Sequence, residues 1–120
     1  MPTPSLVILY VDSPPASATF YAGLLGGPVL ESTAGFAMVA LCPGLMLGLW
    51  SRHTVEPAAG AGGGGGEIAF RHPDVDGLHA DWSSRGLTIL QGPADMDFGR
   101  CFTAADPDGH RLRVFAPAGA

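Results

Sequence analysis

Lysine is missing from this chain of 120 residues, so all six basic side chains are arginine, against eleven acidic ones for a formal net charge of −5. No basic cluster is present to neutralise a phosphate backbone, which excludes nucleic acid as an expected partner. Charged residues of either sign make up only 14%. Much of the surface must then be neutral, which favours a face covered by a second copy, and a homodimer is expected. No apolar run approaches the roughly 18 residues of a membrane-crossing helix, and Met1 to Ser5 lacks the basic start and cleavable apolar stretch of a secretory signal. A cytoplasmic protein with no membrane partner is the expectation. The two cysteines, Cys42 and Cys101, are too few for a disulfide framework and read as reduced core residues. Neither has a histidine beside it in sequence, no serine sits in a nucleophile-elbow context, and no glycine-rich dinucleotide fingerprint follows a strand.

What is present is a single globular domain's worth of apolar sequence, 47% with 8% aromatics, arranged twice over. Leu6 to Val11 is a continuous branched apolar run that suits a buried strand. Ser13 follows as a candidate N-cap, with Pro14 tolerated at the first helical position. Ala16 to Leu25 carries Phe20, Tyr21, Leu24 and Leu25 at helical spacing, and Gly26-Gly27 supplies a stop. Three short strands are then predicted at Pro28 to Glu31, Phe36 to Leu41 and Leu45 to Trp50, divided by turn-forming residues.

Residues 57–66 are only Pro, Ala and Gly and predict a flexible linker between a first module, 5–52, and a second, 67–117. These glycines lack the Lys-Ser or Lys-Thr of a phosphate loop. Beyond them the order repeats: a strand at Glu67 to Phe70, a helix at Asp74 to Arg85 bearing Val75, Leu78 and Trp82, a stop at Gly86, then strands at Thr88 to Leu90, Arg100 to Ala104 and Arg111 to Phe115. Gly44 to Trp50 lies over Gly109 to Phe115 with glycine, leucine and an aromatic in register.

Leu6-Val7-Ile8-Leu9-Tyr10-Val11-Asp12, Phe20-Tyr21 and Leu24-Leu25-Gly26, together with Asp74-Val75-Asp76 and Asp106-Pro107-Asp108-Gly109, resemble the vicinal oxygen chelate superfamily of glyoxalases, bleomycin resistance proteins and extradiol dioxygenases. The resemblance covers nearly the whole chain. It implies an α+β fold of two βαβββ modules, with curved mixed sheets around a concave cavity. In the superfamily's metal-dependent members, four His or Glu ligands come from the first and last strands of each module, and the corresponding positions here are Leu6, Gly48, Glu67 and Arg113. One carboxylate beside a guanidinium cannot supply a site of three or four ligands, so no metal and no other cofactor is expected. His53, His72, His79 and His110 show no ligand-like pairing and read as surface or structural residues.

In such a module the first and last strands are neighbours, so Glu67 and Arg113 are expected to form an ion pair, either a structural bridge or a polar handle for a ligand. Strand alternation puts Met46 and Trp50 on the face of Gly48, and Ile8 and Tyr10 on that of Leu6. A glycine at the ligand position is expected to leave a slot beside the Trp50 indole in which a planar ring stacks. Phe36 and Met38 are further candidate lining residues, although the parity of their strand is open, as is that of the Arg100 to Ala104 strand. Phe98 and Arg100 belong either to a loop that closes over a ligand or to a plain turn.

The function expected from the resemblance and the lost ligands is sequestration of an aromatic or peptide-like antibiotic or metabolite, as in the drug-resistance members of the superfamily. The alternative is a metal-free lyase or isomerase with Glu67 as general base and Arg113 beside it. A third reading is a purely structural or sensor module, which a cavity filled by its own side chains would favour.

Overall fold

In the computed structural model, which describes residues 3–60 and 63–119, the first branched run forms strand β1 (Leu6–Val11) and leads into helix α1 (Pro14–Leu25). The Ser13 side chain accepts from the Ala16 N–H at 3.3 Å and starts the helix, while Gly26, at φ 75°, ends it by donating its N–H to the Ala22 carbonyl at 2.9 Å. Strands β2 (Val29–Ser32), β3 (Phe36–Cys42) and β4 (Leu45–Ser51) complete the first module. Its sheet runs β1-β4-β3-β2, with β1 parallel to β4 and the other pairs antiparallel. One face carries Ala37, Val39, Leu47 and Leu49, which are buried along with Ala18 and Tyr21 of α1, the helix packed on this sheet.

The second module repeats the plan with β5 (Glu67–Arg71), α2 (Val75–Ser84), β6 (Thr88–Met96), β7 (Gly99–Ala105) and β8 (Arg111–Pro117), in the order β5-β8-β7-β6. Asp74 is the cap of α2 rather than its first residue, accepting from the Gly77 N–H at 3.0 Å. Trp82 packs edge-on against Phe102 at 5.3 Å and Phe70 at 5.9 Å, and Phe102, Leu112 and Val114 are fully buried. The two closing hairpins match in detail, since Gly44 and Gly109 precede β4 and β8 with φ of 82° and 84°. The chain divides into compact units at 62/63, inside the Pro/Ala/Gly segment, of which Ala61 and Gly62 lie outside the described residues.

The α+β architecture of two βαβββ modules is therefore the observed one, with differences of detail. Strand β1, expected to be a buried strand, is an edge strand whose Leu6, Val7, Ile8 and Tyr10 are exposed. Strand β6 spans nine residues rather than the three predicted, because the Gln91-Gly92-Pro93 interruption is absorbed by register shifts on an edge strand, where a missing N–H costs no ladder bond. Of the two readings open for the segment around Phe98, the structure shows the plain turn, a tight one between β6 and β7. Both thiols are free, and Cys101 is buried as expected, but Cys42, placed in the core by the sequence reading, is exposed at the end of β3, past a register shift.

Candidate functional site

Register sorts the candidates of the first module into three rows across its sheet. Tyr10, Trp50 and Phe36 stand side by side, Ile8, Gly48 and Met38 form the next row, and Leu6, Met46 and Ala40 the third. Side chains within a row point to one face, so Phe36 and Met38 share the face of Trp50, which resolves the open parity. On this face lies an open hollow of about 530 Å³ lined by Leu6, Ile8, Phe36 and Trp50 together with Glu31, Thr33 and Gly35. Tyr10, Met38, Met46 and Gly48 lie on the face but outside the lining.

The slot expected over Gly48 is filled from within. A methyl group there would meet the Phe36 ring at 3.0 Å and Ile8 Cγ1 at 3.3 Å. Phe36 occupies the space and presents its ring perpendicular to Trp50, at 6.1 Å and 89°. The glycine thus seats a wall of the hollow instead of leaving room for a ligand ring. Glu31 was not foreseen, because a bulge between Val29 and Glu31 breaks the alternation that would have assigned its face. Thr33 is turned inward on its own backbone, its hydroxyl donating to the Phe36 carbonyl at 3.0 Å and accepting the Phe36 N–H at 3.1 Å.

In the second module Glu67 and Arg113 meet as expected. Arg113 Nε donates to Glu67 Oε1 at 2.6 Å and Nη2 to Oε2 at 3.1 Å, a two-pronged pair that occupies both carboxylate oxygens. The hydrogen bond from Arg113 holds the Glu67 carboxyl below its ordinary range, despite the opposing effect of partial burial. Nη1 donates to Cys101 Sγ at 3.3 Å. Thr103 lies directly across from Arg113, and its buried hydroxyl has no partner among the described residues.

The other two candidates part company. Phe98 is half exposed and stands edge-on to Phe115 at 6.4 Å, on the strand that carries Arg113. Arg100 alternates to the opposite face, where it binds both Asp76 oxygens at 2.9 Å and Asp95 at 3.0 Å, so it ties α2 to the sheet rather than lining a site with Arg113. The histidines are likewise engaged locally: His53 Nε2 with Asp12 at 2.7 Å, His72 Nδ1 with the Asp74 N–H at 3.0 Å, and the His79 ring with Phe102 at 5.3 Å.

These modules define the class: the chain belongs to the glyoxalase/bleomycin resistance protein/dioxygenase superfamily, whose model matches residues 4–114. Among its relatives, the phenazine antibiotic resistance protein EhpR of Enterobacter agglomerans is 30% identical over 118 residues, covering 93% of this chain and 90% of that protein. A protein of Agrobacterium tumefaciens solved by solution NMR is 56% identical with a TM-score of 0.87, covering 99% of this chain and 100% of the other. A superfamily member from Nocardioides, solved by crystallography, is 27% identical with a TM-score of 0.80, covering 100% and 87%.

The residues at the ligand positions of the superfamily's metal-dependent members do not form a cation site in this chain. Leu6 and Gly48 offer the first module no donor, and the second offers one carboxylate whose oxygens are both held by Arg113. Among the described residues no three His, Cys, Asp or Glu side chains come together. This donor set does not fit a divalent cation, which needs several converging lone pairs. No helix among the described residues is long and apolar enough to cross a membrane.

Proposed function

We propose that this protein binds and sequesters a planar aromatic or peptide-like antibiotic or metabolite, without a metal and without chemical turnover. The observation that carries the reading is the hollow walled by Trp50, Phe36, Ile8 and Leu6. Its volume of about 530 Å³ is that of a small-molecule site, and its lining is largely apolar, with Glu31 and Thr33 as the polar side chains. An indole and a phenyl set perpendicular offer a planar guest one face and one edge, worth about 1 kcal/mol beyond area burial. A relative named for phenazine antibiotic resistance supports a flat, fused-ring guest.

General-base catalysis by Glu67 is disfavoured, because a base working at neutral pH gains from a raised pKa, and the hydrogen bonds from Arg113 lower it. The working form is a cytoplasmic homodimer in which a second copy pairs along the edge strand β1, where Val7 is 37% exposed, leaving the face of Leu6 and Ile8 to the ligand.

Fluorescence titration against a panel of flat aromatic antibiotics, phenazines included, tests the reading. Saturable quenching is expected, and its loss in Trp50→Phe assigns it to the hollow, since Trp82 is buried. No quenching by any compound at high micromolar concentration overturns the proposal. One tightly held zinc, nickel, iron or manganese per subunit in elemental analysis overturns its metal-free part.

A further inference from the structure

Sheet two gathers half of the chain's six basic residues on one face. Arg71, Arg111 and Arg113 alternate along β5 and β8 on the side that also carries Glu67, as the register pairs Glu67 with Arg111, Ala69 with Arg113 and Arg71 with Phe115 show. Glu67 is the one acid among the described strand residues of that face, since Asp95 of β6 pairs with Arg100 and falls on the other. An acidic protein of net charge −5 therefore presents a positive face here.

Arg113 is consumed by Glu67, but Arg71 has no carboxylate partner among the described residues. It borders a hollow of about 260 Å³ completed by His72, Pro73, Ala116 and Pro117. His72 Nδ1 is engaged by the Asp74 backbone, 3.0 Å from its nitrogen and 3.2 Å from its carbonyl oxygen. Arg71 is the fixed donor of this hollow, set beside His72 and the apolar Pro73, Ala116 and Pro117. Phe115 shares the face of Arg71, with the half-exposed Phe98 edge-on to it.

We infer that the Arg71 hollow is a binding site for the carboxylate of an aromatic acid, whose ring lies against Phe115. A guanidinium matches a carboxylate in two parallel hydrogen bonds, whereas a neutral guest would leave the cation unmatched. The Arg71 hollow is a second site, in the second module and separate from the Trp50 hollow, and it rests on the proposed function only for the ligand being organic.

The test is a titration of the whole protein followed by NMR, arginine side-chain N–H signals included, with 1-naphthoate, its neutral counterpart 1-naphthamide, and inorganic phosphate. Naphthoate is expected to shift the Arg71, His72 and Ala116 signals saturably, and Arg71→Gln, a change at an exposed residue, to weaken it about tenfold. Naphthamide and phosphate are each expected to bind the site at least about tenfold more weakly. Undiminished naphthoate binding in Arg71→Gln, or equal binding of naphthamide, overturns the site. Equal binding of phosphate overturns the aromatic-acid class. Failure here is separable from failure of the larger reading, because quenching of Trp50 by a neutral phenazine in Arg71→Gln would leave the first-module hollow standing.

Discussion

Glu67 is the acid at the positions that correspond to the ligands of metal-dependent relatives, and its chemistry is set by Arg113. Hydrogen bonding from that guanidinium lowers the Glu67 pKa from its ordinary 4.5. A carboxylate whose folded pKa is lowered contributes stability that is complete above 4.5 and is lost as pH falls through the folded value. Glu67→Gln is therefore expected to cost about 1 kcal/mol at neutral pH, a modest figure because the pair is partly solvated. The gap should close in acid. Urea unfolding of both proteins at pH 7 and again well below 4.5 measures it, and a gap of constant size would show that the pair contributes nothing through its charge.

At the scale of elements, the β6–β7 turn depends on Gly99. Its φ of 141° is one that L side chains rarely adopt, and an added Cβ would collide with the backbone of Ala116 in β8. Because backbone cannot step aside as a side chain can, Gly99→Ala is expected to destabilise the protein by about 3 kcal/mol or more, read as a shift in the urea midpoint at unchanged slope. The strand assignments themselves were legible wherever branched apolar residues ran on without interruption. Leu6–Val11 shows this, its predicted and observed bounds coinciding. Strand β6 was cut short because Gly92 and Pro93 signal a break locally, while partners on β7 continue to hold the chain extended beyond them.

For the molecule as a whole, an edge strand with apolar side chains exposed on both faces is a liability unless another chain covers it. Light scattering is expected to return twice the mass of the chain, and Val7→Lys, which puts a charge on that strand, to shift the population toward monomer. A monomer in the unmodified protein at high micromolar concentration would remove the second copy from the account.

Local chemistry determined the order of elements, their duplication across residues 5–52 and 67–117, and the absence of donors at Leu6 and Gly48, since periodicity, caps and residue type are properties of neighbours in sequence. What occupies a space was decided only by tertiary structure. Phe36 fills the room above Gly48, Arg100 turns to Asp76 and away from Arg113, and Arg71 is left beside a hollow without an acid. Each of these depends on strand register and on partners distant in the chain, and a shift of one residue in register exchanges one face of a sheet for the other.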